Sequence, residues 1–137
     1  MTDLVLMIED SAEDVEAVQR TMARSYPTTE LEAIADGRRA LDRLLDDTVG
    51  RPDVVLLDLN LPGVDGRSVL SEIRGRPELA DLVVVVLTSS TDPRDVEQCY
   101  RAGANGYVFK PVDYAMFCAA LCGALDYWLP HGGAVTA

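Results

Sequence analysis

Runs of consecutive aliphatic residues, too short to cross a membrane and too continuous to line one face of a sheet, constrain this chain most. They are Leu4 to Ile8, Val54 to Leu57 and Leu82 to Leu87, with a shorter run at Tyr107 to Phe109. A strand with one wet face alternates apolar and polar residues, whereas a strand covered by helices on both faces is apolar throughout, as in a parallel sheet. A weaker fifth strand, Glu30 to Ala35, fits between the first two runs.

The segments between the strands read as helices. Ser11 is a helix cap with Asp14 three residues on, and Val15, Val18 and Met22 then share one face. After Asp36 an apolar stripe runs through Ala40, Leu41, Leu44 and Leu45, and after Asp65 another runs through Val69, Leu70 and Ile73. Asp92 followed by Pro93 is a cap with proline at the first helical position, and Val96, Cys99 and Tyr100 are expected to face inward. Asp113 opens a last helix whose stripe is read as Met116, Phe117, Ala120, Leu121, Ala124, Leu125 and Trp128. Strict alternation of strand and helix with right-handed crossovers predicts an α/β doubly wound parallel sheet of five strands with five helices.

The 137 residues fit one domain, read as 1–129 with a frayed tail at 130–137, and no stretch remains for an output domain. With 23 acidic and 12 basic residues, the net charge of −11 repels nucleic-acid phosphates and anionic lipid. The longest apolar run, Leu82 to Leu87, is far below the roughly 18 to 20 residues of a membrane span. Three cysteines without a C-x-x-C motif, and a start lacking signal-peptide features, point to a reducing, cytoplasmic location.

Ligands of an open doubly wound sheet bind beyond the carboxyl ends of its strands. The residues at those ends are Glu9 and Asp10, Asp58, Thr88 with Ser89 and Ser90, and Lys110. Taken singly, each has an ordinary fate: a solvated carboxylate, a surface lysine, a strand threonine. Together, Glu9, Asp10 and Asp58 would repel one another unless a cation sat among them, and oxygen ligands without His or Cys favour magnesium. With such a metal, Asp58 can serve as a nucleophile toward a phosphoryl group, with Lys110 and Thr88 supplying an ammonium and a hydroxyl to its oxygens.

These residues carry a resemblance to bacterial two-component response-regulator receiver domains of the chemotaxis-regulator type. It rests on IEDS, DGRRALDRL, PDVVLLDLNLPGVDG, LTSS and GANGYVFKPVD, and spans Leu4 to about Trp128. The resemblance implies a flavodoxin-like sheet in the order 2-1-3-4-5 and phosphorylation of Asp58 by a histidine kinase. It implies magnesium held by Asp10, Asp58 and the backbone carbonyl of Asn60, with Glu9 acting through a metal-bound water. Lys110 would form a salt bridge to the phosphoryl group, and the Lys110–Pro111 bond would be cis. Glu9 in place of aspartate departs from the chemotaxis pattern and bears on the metal's water shell. Asn60 and Ser90 would influence how fast the phosphoryl group hydrolyses.

The family also implies a switch in which Thr88 moves toward the phosphoryl group and Tyr107 turns inward, changing a surface made by helix four, strand five and helix five. On residue type alone, Tyr107 is equally a core residue. The segments CYRAGANGYVFKPVDYAMF and ALDYWL resemble single-domain regulators paired with bacterial phytochrome kinases. Beyond its stripe the last helix carries Tyr114, Cys118, Cys122, Tyr127 and Leu129. That surplus is either a homodimer patch on the same surface or a broad core face. Cys118 and Cys122 share a helix face, but the lone histidine is His131, so they read as buried or interfacial thiols rather than metal ligands.

Three other classes compete. An aspartate-nucleophile phosphatase would need a D-x-D pair, but the residue two after Asp58 is Asn60, which provides no general acid. A flavin protein would need a phosphate-cradling loop after the first strand, where this chain has EDSAED. A phosphorylation-independent scaffold would have no use for the intact set of Asp58, Thr88 and Lys110. The downstream role is open between relay to a histidine phosphotransfer protein, contact signalling, and a phosphate sink.

Overall fold

The computed structural model describes residues 2–61, 63–110 and 113–130. Its strands are β1 (Leu4–Ile8), β2 (Glu30–Ile34), β3 (Val54–Asp58), β4 (Val84–Thr88) and β5 (Gly106–Phe109). They form one sheet in the order β2-β1-β3-β4-β5, with every neighbouring pair parallel. The helices are α1 (Ala12–Ser25), α2 (Gly37–Leu45), α3 (Gly66–Gly75), α4 (Pro93–Arg101) and α5 (Tyr114–Trp128).

The continuous apolar runs are explained by two cores, one on each side of the sheet. Alternate residues Val5, Met7, Val54, Leu56, Val85 and Leu87 pack with Val18 and Met22 of α1 and Phe117, Leu121 and Leu125 of α5. The residues between them, Leu6, Ile8, Val55, Leu57, Val84 and Val86, pack with the stripes of α2 and α3 and with Cys99 of α4. β3 and β4 are buried at every position. β2, at the edge, is buried at none, which is why its sequence signal is weak.

Each helix starts where a capping side chain accepts a backbone N–H: Ser11 from Asp14, Asp36 from Arg38, Asp65 from Arg67, Asp92 from Arg94, and Asp113 from Met116. These five caps place every helix N-terminus at the carboxyl edge of the sheet, where the candidate residues lie.

Three expectations are corrected. The fourth strand begins at Val84 rather than Leu82, because the Leu82 N–H closes a turn onto Leu79 O at 3.1 Å. Tyr100 is 49% exposed, since short α4 turns only Cys99 fully inward. On α5 the buried stripe is Phe117, Leu121 and Leu125, continued by Leu129, while Met116 is 63% exposed and Ala120 is also outside. The helix is rotated so that Cys118 and Cys122, half-buried, turn toward α1: the Cys118 sulfur lies 3.0 Å from Thr21 Oγ1, and the Cys122 carbonyl accepts the Tyr26 hydroxyl at 2.8 Å. Leu129 and both cysteines are thus packed, and the apolar surplus of α5 reduces to Tyr114, Met116 and Tyr127. The expected tail, from residue 131 on, and Pro111 lie outside the described residues.

Candidate functional site

The ends of β1, β3 and β5 converge on a cleft of about 340 Å³ lined by Glu9, Asp10, Ser11, Asp14, Asp58, Asn60, Ser89 and Lys110. Glu9 extends the β1 ladder, its N–H bonding Ile34 O at 3.0 Å, and its side chain turns inward to 2% exposure. Asp10, one residue on, is exposed, and Asp58 ends β3 at 5% exposure. Register and strand length therefore bring a buried, a surface and a second buried carboxylate to one place. One oxygen from each of Glu9, Asp10 and Asp58 lies within 4.8 Å of the others. Asp58 Oδ1 accepts the Asn60 N–H at 3.2 Å, which fixes the loop that brings Asn60 to the cleft wall.

Lys110 follows β5 and is anchored by its N–H to Thr88 O at 2.7 Å. It is the only lysine in the sequence, the other 11 basic residues being arginines. Arginine serves the surface ion pairs, for example Arg101 with Glu97 at 2.7 Å, whereas the compact ammonium is reserved for the cleft. Its Nζ bonds Glu9 Oε1, lies 3.0 Å from Asp14 Oδ2, and stands 3.5 Å from Asp58 Oδ1.

Burial, and next the hydrogen bond that a protonated Glu9 donates to the Asp58 carboxylate, push the Glu9 carboxyl up to about 8, against the pull of Lys110. The Lys110 ammonium is pushed up as well. Its burial opposes the charge, but Glu9, Asp14 and Asp58 together outweigh that. Carboxylates thus crowd this end of the sheet beyond what one lysine compensates. Three hard oxygen donors without nitrogen or sulfur fit a divalent cation of the magnesium or manganese kind.

Thr88 and Tyr107 meet at Ser90 rather than at the cleft. The Thr88 hydroxyl, 2% exposed, accepts the Ser90 N–H at 3.1 Å. Tyr107, half-buried against the α3 and α4 side of the core, donates its hydroxyl to Ser90 O at 2.5 Å. Ser90 Oγ in turn donates to Asp95 Oδ2 of α4 at 2.5 Å, and Asp95 pairs with Arg67 of α3 at 3.4 Å. With the Asp92 N–H donating to Ser90 Oγ at 3.2 Å, four hydrogen bonds tie the loop from β4 to α4 to one serine.

Two features escape a reading of strand ends. Asp14 lines the cleft from the first turn of α1, where the sequence marks it only as the residue three after the Ser11 cap. Ser90 was placed at the end of the fourth strand, but its role as a hub for Thr88, Tyr107 and Asp95 had no signal, because these partners are scattered along the chain.

Similarity to known proteins bears directly on this arrangement. The profile of the response regulator receiver domain matches residues 5–121. The chain belongs to that family. It is 37% identical over 129 residues to the probable methanogenesis regulatory protein FilR2 of Methanothrix harundinacea, covering 92% of this chain and 83% of that one. It is 36% identical over 130 residues to the response regulator Rcp1 of Synechocystis sp., covering 92% and 88% respectively. The Mn(2+)-bound form of Rcp1 superimposes with a TM-score of 0.84 at 34% identity, covering 98% of this chain and 99% of that one. The phosphorylated cyanobacterial phytochrome response regulator RcpA superimposes with a TM-score of 0.85 at 32% identity, covering 95% and 99%. The receiver chain thus resembles the single-domain, phytochrome-associated subgroup, and its sheet order is the expected 2-1-3-4-5.

Proposed function

We propose that this receiver is a single-domain response regulator that takes a phosphoryl group from a histidine kinase onto Asp58, with magnesium bound by Glu9, Asp10, Asp58 and Asn60. The observation that carries the reading is the cluster of Glu9, Asp10 and Asp58 oxygens within 4.8 Å, with the ammonium of Lys110 beside it. Bound magnesium would supply charge for the phosphoryl oxygens, and Glu9 would hold one of its waters. An Asp58 carboxylate oxygen forms the new bond to phosphorus as the bond from phosphorus to the donor's histidine nitrogen breaks, its electron pair leaving with the imidazole. Lys110 gives an N–H to a phosphoryl oxygen, and the Thr88 hydroxyl gives another after exchanging its Ser90 partner. Because Ser90 also holds Tyr107 and Asp95, that exchange loosens the start of α4.

The phosphodonor of closest chemistry is a phytochrome-type kinase, as the kinship with RcpA supports. Signalling would run in the cytoplasm, without nucleic acid or membrane, through the surface of α4, β5 and α5, where Tyr100, Phe109, Tyr114 and Met116 are exposed and could pair two copies as a homodimer.

The acceptor is tested by treating the protein with acetyl phosphate and magnesium, reducing the acyl phosphate with borohydride, and mapping the product by peptide mass. Reduction at Asp58 is expected, and a product at another carboxylate refutes the assignment. Thr88→Ala is expected to accept phosphate yet leave the amide NMR signals of α4 and β5 unshifted. A wild-type pattern of phosphorylation-dependent shifts in that variant refutes the switch.

A further inference from the structure

The phosphoacceptor reading leaves one charged contact unused. The cation that a phosphoryl group on Asp58 would need is shared three ways: Lys110 bonds Glu9 and, at 3.0 Å, Asp14, and pairs with Asp58 Oδ1 only at a longer 3.5 Å. The two competitors differ. Glu9 belongs to the oxygen cluster that fits a divalent cation, so a metal there draws on it, whereas Asp14 is outside that cluster. Asp14 reaches the cleft from the first turn of α1, where its backbone N–H is pinned to Ser11 Oγ at 3.3 Å. Its side chain is 40% exposed, so water can take it when the lysine leaves.

We propose that Asp14 is a positioning residue that keeps the Lys110 ammonium from closing on Asp58 to hydrogen-bond distance in the resting protein and competes with the phosphoryl group for it. The proposal rests on Asp58 being the phosphoacceptor. With metal bound, Asp14 is the remaining anchor that Lys110 has to give up, and its carboxylate also repels an approaching phosphodonor dianion. The lysine stem is flexible, so the exchange of partners requires no backbone movement. The receiver then carries a built-in brake on phosphorylation at the mouth of its own cleft.

The test compares the wild type, Asp14→Asn and Asp14→Glu. With acetyl phosphate and magnesium, initial labelling is followed by intact mass. In metal-free protein, the ammonium of Lys110 is followed by proton–nitrogen NMR, where the single lysine gives an unambiguous side-chain signal. Asp14→Asn is expected to label about two- to fivefold faster, the range of a half-exposed ion pair. Its ammonium signal should shift and exchange faster with water, while Asp14→Glu restores both readouts. If the wild type labels on Asp58 but Asp14→Asn labels at the same rate or more slowly, the brake is refuted and the phosphoacceptor stands. If the wild type does not label, both fall.

Discussion

A methyl group added at Gly66 would lie 2.3 Å from the carbonyl oxygen of Asp58, 2.6 Å from Leu59 Cα and 3.0 Å from Leu59 O. Ordinary contacts of carbon with such atoms need about 3.5 Å, so Gly66→Ala requires a displacement of about 1 Å. All three neighbours are backbone, and no rotamer change can absorb it. The Gly66 N–H also bonds Leu59 O at 3.2 Å, so α3 cannot back away without losing that bond. Overpacking of this kind costs about 1 to 3 kcal/mol, and alanine recovers little at a first helical position, so a net loss of about 2 kcal/mol is expected. For a chain of this size that lowers the melting midpoint by roughly 6 to 10 °C. The control is Gly123→Ala, at an exposed position of α5 where the added carbon meets nothing within 4 Å. That variant should gain about 0.5 to 1 kcal/mol from helix propensity. Because the displaced carbonyl belongs to Asp58, Gly66→Ala should also slow phosphorylation by about tenfold or more. Thermal and urea unfolding measure the first effect and acetyl phosphate labelling the second. A Gly66→Ala protein as stable as the wild type would refute the close approach of α3 to the β3 loop.

Two further outcomes follow from the geometry. The Tyr26 hydroxyl, on a residue 2% exposed, shares its one proton between Asp126 Oδ1 at 2.7 Å and the Cys122 carbonyl at 2.8 Å, and burial with the neighbouring carboxylate pushes its phenol far upward. Tyr26→Phe should cost about 1 to 2 kcal/mol in urea unfolding, and an unchanged midpoint would deny that this bond joins α1 to α5. Glu9, raised to about 8 in the fold from an ordinary 4.5, keeps its proton in the native state where the unfolded chain has lost it. Metal-free protein should therefore lose stability as pH rises from about 4.5 to 8, by at most about 4 kcal/mol. Glu9→Gln should be flatter over that window, and magnesium should stabilise the wild type most at its upper end. A metal-free stability that rises with pH there, beyond the rise in Glu9→Gln, would contradict the buried-carboxylate account.

The architecture was legible because burial on both faces leaves an unmistakable run of aliphatic residues, and because each helix is preceded by a capping side chain one can name. Glu9, Asp10, Asp58 and Lys110 were legible for the same reason, since strand ends locate them. Tyr100 and Met116 were misread because a stripe in sequence gives the apolar face of a helix but not how far the sheet extends beneath it. α4 and α5 lie toward the β5 edge, and part of each apolar face is left over. Gly66, Asp14 and Ser90 depend on contacts across loops and helix starts, for which spacing along the chain gives no distance.

The most direct measurement is intact mass after incubation with acetyl phosphate, for the wild type with magnesium, the wild type with EDTA, and Asp58→Asn with magnesium. One hydroxylamine-labile phosphoryl group on the first sample and none on the other two is the predicted result. Labelling that survives EDTA or the loss of Asp58, or a wild type that takes up no phosphoryl group where another receiver does, would contradict the assignment of this cleft.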